Sequence, residues 1–187
     1  VSLSTVKIEN IQNELAGQEM PTLLNSTPGV YTTQQGGGDG DVRINIRGFN
    51  QRNVAVMIDG IPMNDMENGW VYWSNWFGLD AVTSNIQVQR GLGASKLAVP
   101  SVGGTVSIFT KAAQKTEGGK VIQMVGNDGY TKTGMSYNTG KDENGWASSF
   151  LLSKWAGNGY VYNTSGEGWT YFAAVGYAPE GSDRKST

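Results

Sequence analysis

Asp59, Asp65 and Glu67 are the nearest thing to a carboxylate cluster in the sequence. Paired carboxylates can serve as general acid and base, or as oxygen ligands for a hard cation. Their spacing fits neither a glycosidase pair nor an EF-hand loop. Solvated loop charges explain them more simply, while a calcium site built from flexible loop oxygens stays open. The string Arg90-Gly91-Leu92-Gly93-Ala94-Ser95-Lys96 imitates part of a phosphate-binding loop. It lacks the Walker A spacing and the third glycine of a dinucleotide fingerprint. A tight turn from strand to helix is the better reading. The chain has no cysteine and no histidine. Disulfides, the common zinc sites and nucleophilic catalysis through Cys–His or Ser–His pairs are therefore excluded.

The aromatic side chains are the next candidates. Trp70, Tyr72, Trp73, Trp76 and Phe77 crowd together behind the polar run Asn64-Asp65-Met66-Glu67-Asn68-Gly69. An exposed patch of this kind marks a binding surface, and Trp and Tyr stack well on sugars or planar ligands. The other reading, that Trp70 and Trp76 pack the loop onto its own domain, stands beside it with equal weight.

Composition narrows the setting. Glycine makes up 27 of 187 residues, well above the usual share of roughly 7%. Net charge is −2, and no basic block suggests a nucleic-acid partner. No apolar run approaches the roughly 20 residues of a membrane helix. Transmembrane barrels stay possible, because their strands are short and alternating.

These candidates must be positioned by short strands. Residues 1–112 read as a compact α+β unit. Val6 and Ile8 alternate with polar residues, and Met20–Ser26 reads as a short helix with Pro21 in its first turn. Val30–Thr33, Val42–Arg47, Ile86–Gln89 and Thr105–Thr110 read as strands, and Val54–Ile58 as a strand buried on both faces. Gln34-Gln35-Gly36-Gly37-Gly38-Asp39-Gly40-Asp41 is a loop. Further short helices are expected near Asp80–Ser84 and Ala94–Leu97. Residues 113–187 change character. Lys120–Val125, Tyr130–Asn138, Trp146–Trp155 and Trp169–Tyr177 read as long strands, with Asn127-Asp128-Gly129 as a tight turn between the first two. As a free meander these strands would lack a second layer. A soluble β-sandwich, or a surface carbohydrate-binding β domain, is the alternative class; it explains the tryptophans but not the first half.

Five strings, taken in order, resemble the plug domain of TonB-dependent outer-membrane receptors. They are Thr27-Pro28-Gly29-Val30, Ile44-Asn45-Ile46-Arg47-Gly48-Phe49, and Val56-Met57-Ile58-Asp59-Gly60-Ile61-Pro62. Then come Ile86-Gln87-Val88-Gln89-Arg90-Gly91, with Gly93-Ala94-Ser95 after it, and Val102-Gly103-Gly104-Thr105-Val106-Ser107-Ile108-Phe109-Thr110-Lys111. The resemblance implies a plug of mixed β-sheet with short helices over 1–112. It implies antiparallel β-hairpins over 113–187, from the start of an incomplete transmembrane β-barrel. A family barrel of about 22 strands needs more chain than follows residue 112, so a fragment of a longer protein is expected.

The implied work is transport without covalent chemistry or a cofactor. The plug fills the barrel lumen. The periplasmic partner TonB, driven by an inner-membrane complex, opens it to admit a siderophore, corrinoid, sugar or peptide. Outer-membrane lipid surrounds the intact barrel. By similarity, Gln34, Gln35, Asp39 and Asp41 on one loop, and Asn64, Asp65, Trp70, Tyr72, Trp73 and Trp76 on the other, lie where relatives contact substrate. Arg47 and Arg90 match two arginines that face barrel-wall glutamates in the family. In this chain they are expected to be solvated or to find substitutes; pairing of Arg47 with a carboxylate of this chain would count against that. No clear TonB box is present, and Val1–Val6 is its end or the segment after it. Arg52-Asn53-Val54-Ala55-Val56-Met57 stands where the glycan-importing branch carries a Pro-Leu-Tyr-like lead-in, which weakens a polysaccharide assignment.

Overall fold

The fold comes from a computed structural model, which describes residues 2–7, 18–35, 41–91, 101–110, 112, 116–159 and 161–179. Alternation in the first half resolves into two small sheets. The larger contains β1 (Ser2–Lys7), β5 (Val54–Ile58), β6 (Ile61–Pro62), β7 (Asn85–Arg90) and β8 (Gly104–Phe109), in the order β1-β7-β8-β5-β6. β5 and β8 run parallel, whereas the other neighbours are antiparallel. The smaller sheet is β2 (Val30–Thr33), β3 (Arg43–Ile46) and β4 (Phe49–Asn50). Ile44 and Ile46 of β3, Ile86 and Val88 of β7 and Val106 and Ile108 of β8 are buried in one hydrophobic core. Burying each such side chain stabilises the fold by about 1.5–3 kcal/mol.

Met20–Ser26 forms a 3-10 helix with Pro21 in its first turn. It ends where the Thr27 N–H donates to the Leu24 carbonyl at 2.9 Å. The helix expected near Asp80–Ser84 is only a 3-10 turn at Leu79–Ala81, entered through Gly78 in the left-handed conformation. The Thr83 hydroxyl closes it by donating to the Leu79 carbonyl at 2.8 Å. Arg47, read as the last strand residue, instead sits in the turn after β3 with φ of 53°. Ile8 and the segment Ala94–Leu97 lie outside the described residues.

Two local devices close the larger sheet. Gly104 has φ of 147°, and a Cβ there would stand 2.3 Å from the Gln89 carbonyl oxygen. Only glycine lets β8 approach β7 so closely. Asp59, at φ of 49°, accepts from the Thr110 N–H at 2.9 Å and from the Thr110 hydroxyl. It thereby ties the end of β5 to the end of β8.

The second half is an antiparallel meander of β9 (Gly118–Val125), β10 (Thr131–Asn138), β11 (Trp146–Gly157) and β12 (Gly166–Tyr177). The turn between β9 and β10 has Asp128 and Gly129 both at positive φ, 56° and 68°, as a tight hairpin turn requires. The second layer that a free meander lacks is the first half itself. Leu151 of β11 belongs to the same core as Ile44 and Val106, and Phe172 of β12 packs against it. The opposite face carries Val121, Met135, Phe150, Leu152, Tyr171 and Val175, all exposed. The architecture is thus α+β, a mixed sheet with short helices followed by antiparallel hairpins of an unclosed barrel. No described helix is long and apolar enough to cross a membrane.

Candidate functional site

The loop between β6 and β7 is held by polar side chains that look, in sequence, free to bind a ligand. Asn64 extends the strand pattern beyond β6. Its Oδ1 accepts from the Val56 N–H at 2.8 Å, and its Nδ2 donates to the Val54 and Gly69 carbonyls at 3.0 Å each. Asp65 Oδ1 accepts from the Glu67 and Asn68 N–H groups at 2.9 Å each. The Asn68 side chain accepts from the Trp70 N–H and donates to the Tyr72 hydroxyl. Asn64 and Asp65 therefore shape this loop with their polar atoms. Among the described residues, no group of three or more acidic side chains converges in a way that could hold a metal.

Gln51 carries the longest reach, and nothing in the local sequence signals it. It is 1% exposed. Its Oε1 accepts from the Ile44 N–H at 3.2 Å and the Trp73 indole N–H at 3.4 Å, while Nε2 donates to the Val71 carbonyl at 2.8 Å. One amide thus fastens β3 to the aromatic loop. Buried polar groups need such partners, since an unsatisfied one costs about 1–3 kcal/mol.

The aromatic residues divide between the two open readings. Trp73 is buried in the core, and Trp76 packs half-buried against it. Phe77 meets Trp155 of β11 edge to face, with ring centroids 6.1 Å apart. Trp70 is half-buried, and Tyr72 is exposed. The guanidinium carbons of Arg43 and Arg52 lie 4.6 and 4.8 Å from the Trp70 ring centroid. Neither arginine stood out in the sequence. Their common partner, Trp70, is distant along the chain, and no spacing rule links them to it.

The two loops also meet. Asp41 Oδ1 accepts from the Ser74 N–H at 3.2 Å, which fixes the return of the glycine-rich loop against the aromatic one. Gln34 and Gln35 are exposed where that loop leaves β2. Asp39 lies outside the described residues.

Arg47 and Arg90 lie at the other end of β3. Their side chains flank Gly29, where a Cβ would stand 3.7 Å from Arg47 Cγ and 3.8 Å from Arg90 Cδ. Arg90 donates to the Pro28 carbonyl and, at 3.0 Å, to the Ser4 hydroxyl of β1. Arg47 is exposed. Lys154 and Glu167 form a surface ion pair at 3.7 Å.

Between the core and the meander lies a cavity of about 250 Å³, bordered by Ile58, Trp76, Phe77, Leu79, Leu151 and Phe172. Asn75, Thr170 and Tyr171 also border it.

Comparison with known proteins fits this geometry. The profile of the TonB-dependent Receptor Plug Domain family matches residues 1–105. The vitamin B12 transporter BtuB of Vibrio vulnificus is 23% identical over 136 residues, covering 73% of this chain and 22% of that protein. The probable TonB-dependent siderophore receptor PirA of Acinetobacter baumannii is 27% identical over 157 residues, covering 78% of this chain and 21% of that protein. The pyoverdine outer membrane receptor FpvA of Pseudomonas aeruginosa, solved bound to pyoverdine, superposes with a TM-score of 0.70 at 15% identity, over 96% of this chain and 25% of its own. The chain thus spans about a fifth to a quarter of the length of these proteins.

Proposed function

The chain belongs to the TonB-dependent receptor plug-domain family, and from that membership we propose that it gates the import of a ligand across the outer membrane. It is an outer-membrane protein, a plug with the first strands of the barrel that surrounds it. Residues 1–112 are assigned to the plug and 113–187 to the barrel wall. The observation that carries the reading is the family match over residues 1–105, on a chain whose first half packs its core against Leu151 and Phe172 of the meander. A surface carbohydrate-binding domain would leave that first half unexplained.

The relatives named above are transporters and receptors, and the proposed work is transport without covalent chemistry. TonB pulls from the periplasm, the plug yields, and ligand held on its outward loops passes through. Candidate ligands are a siderophore, corrinoid, sugar or peptide. Gln34, Gln35, Asp39, Trp70 and Tyr72 are proposed to meet the ligand, on a platform that Asp41, Asn64, Asp65, Trp73 and Trp76 hold in shape. Arg47 and Arg90 are proposed to face the barrel wall, where a desolvated guanidinium needs a carboxylate partner. The exposed apolar row on β9 to β12 is proposed to face lipid.

The test is uptake by cells expressing the intact receptor, with and without TonB. Accumulation of a ferric siderophore or of cyanocobalamin that requires TonB supports the reading. Equal uptake in both strains would sink it.

A further inference from the structure

Trp70 gathers two cations that have no carboxylate partner among the described residues. Arg43 begins β3, and Arg52 lies in the 3-10 turn Gln51–Asn53, so the antiparallel pairing of β3 with β4 brings the two arginines to one end of the small sheet. Both are exposed. Their guanidinium carbons stand 4.6 and 4.8 Å from the Trp70 ring centroid. Among the described residues, neither guanidinium has a carboxylate or a hydrogen-bond acceptor within reach.

The main chain at Trp70 is itself held. The Trp70 N–H donates to Asn68 Oδ1 at 2.8 Å, and the Trp70 carbonyl accepts from the Asp65 N–H at 2.7 Å. Gly69 presses against Arg52, where a Cβ would lie 3.4 Å from the Arg52 carbonyl oxygen. The backbone that carries the ring is therefore held on both sides. A cation over an aromatic face is attracted by the ring, while its N–H donors lie in the guanidinium plane. The donors stay available. Two such forks at one place offer converging donors that the oxygens of one anion can bridge.

We propose that Arg43 and Arg52, fixed by Trp70, form an anion clamp, and that the transported ligand is polyanionic, presenting carboxylate-like oxygen pairs to this clamp. The inference rests on the transport reading above and names the ligand class of that same loop surface. Guanidinium forks match paired oxygens in two parallel hydrogen bonds, which a neutral ligand does not supply. The chain as a whole is slightly acidic, with a net charge of −2, so the clamp is a local exception to the surrounding charge. The simpler role, two alkyl stems covering an exposed indole, predicts no dependence on ligand charge.

The experiment uses the intact receptor in detergent and titrates four probes by tryptophan fluorescence. Ferric citrate and ferric enterobactin are the anionic arm; ferrichrome and cyanocobalamin are the neutral arm. Binding is expected in the anionic arm, weakening as salt is raised from about 0.05 M to about 0.5 M. Arg43→Gln and Arg52→Gln are each expected to weaken it by about tenfold or more. Arg43→Lys, which keeps the charge and loses the fork, should fall between. Resistance of each variant to limited proteolysis shows that the plug is still folded. Binding confined to the neutral arm, or anionic binding that stays within about twofold in both Gln variants, overturns the clamp. TonB-dependent uptake of a neutral probe in that case leaves the transport reading standing. Uptake of all probes independent of TonB, with no binding, overturns both.

Discussion

Gln51 Nε2 donates to the Val71 carbonyl at 2.8 Å across the interior of the first half. The same side chain accepts from Ile44 in β3 and from the Trp73 indole. A single buried amide thus decides where the aromatic loop lies relative to the small sheet. Gln51→Leu preserves bulk and removes every one of these partners. The Ile44 N–H and Val71 carbonyl are then buried without partners, a loss of about 1–3 kcal/mol for each. The aromatic loop 63–77 should become sensitive to protease, and the Ile44 amide should exchange faster with deuterium. A variant as protected as the parent would show that apolar packing alone holds the loop.

Asp59 is a candidate for chemistry in the sequence and a structural clasp in the fold. Its two oxygens take the Thr110 N–H and hydroxyl. Asp59→Ala should lower plug stability by about 1–3 kcal/mol. Asp59→Asn keeps one acceptor oxygen and tolerates the left-handed backbone, so it should lose less. Both variants should still bind ligand once folded, as read by the fluorescence titration. Lost binding with unchanged stability would give Asp59 a functional role instead.

Gly104 begins β8 opposite Arg90, the last residue of β7. Any Cβ there collides with the Gln89 carbonyl oxygen, 2.3 Å away, and the adjustment needed breaks pairing at the start of β8, where it meets both β7 and β5. Gly104→Ala should leave the plug unfolded or loosely packed, seen as trypsin cleavage within residues 85–109. Gly60→Ala is the control, because nothing stands within 4 Å of a Cβ at Gly60. It carries only the cost of positive φ, about 1 kcal/mol. Equal protease resistance in the two variants would contradict the steric account.

The outward face of the meander supplies a membrane test. Leu152 of β11 pairs across to Met135 of β10 and Tyr171 of β12, and all three are exposed. Arginine at the middle of a lipid-facing row costs about 2–4 kcal/mol, and near the interface about 0–1 kcal/mol. Leu152→Arg should therefore slow or prevent folding of the intact receptor into vesicles, measured by the gel shift between folded and unfolded barrel. Gln123→Arg, in a row that already holds Thr133 and Lys154, should fold almost normally. Equal folding of the two would mean that this face does not meet lipid.

Much of this structure follows from local sequence. Ile44-Asn45-Ile46, Ile86-Gln87-Val88 and the alternation through β10 to β12 set strand positions, because side chains on a strand face opposite sides in turn. Asn127-Asp128-Gly129 set the hairpin, because few residues accept two successive positive φ angles. Pro21 set the start of the first short helix. The excess of aromatics at 70–77 marked a segment with a special task. Helices at Asp80–Ser84 read less well, since three or four residues carry too little periodicity to separate a helix from a turn.

Tertiary structure decided the partners. Whether Trp73 is core and Trp70 a shelf depends on Gln51, Arg43 and Arg52, which lie well before them in the chain. Whether Asn64 binds a ligand or extends a sheet depends on which strand leaves its edge open beside it. Leu151 has a core to enter only because the first half packs under the meander. Strand period and turn chemistry act between near neighbours and can be read along the chain. Burial, pairing of charges and satisfaction of buried amides join residues distant in sequence, and these are settled only when the chain is packed.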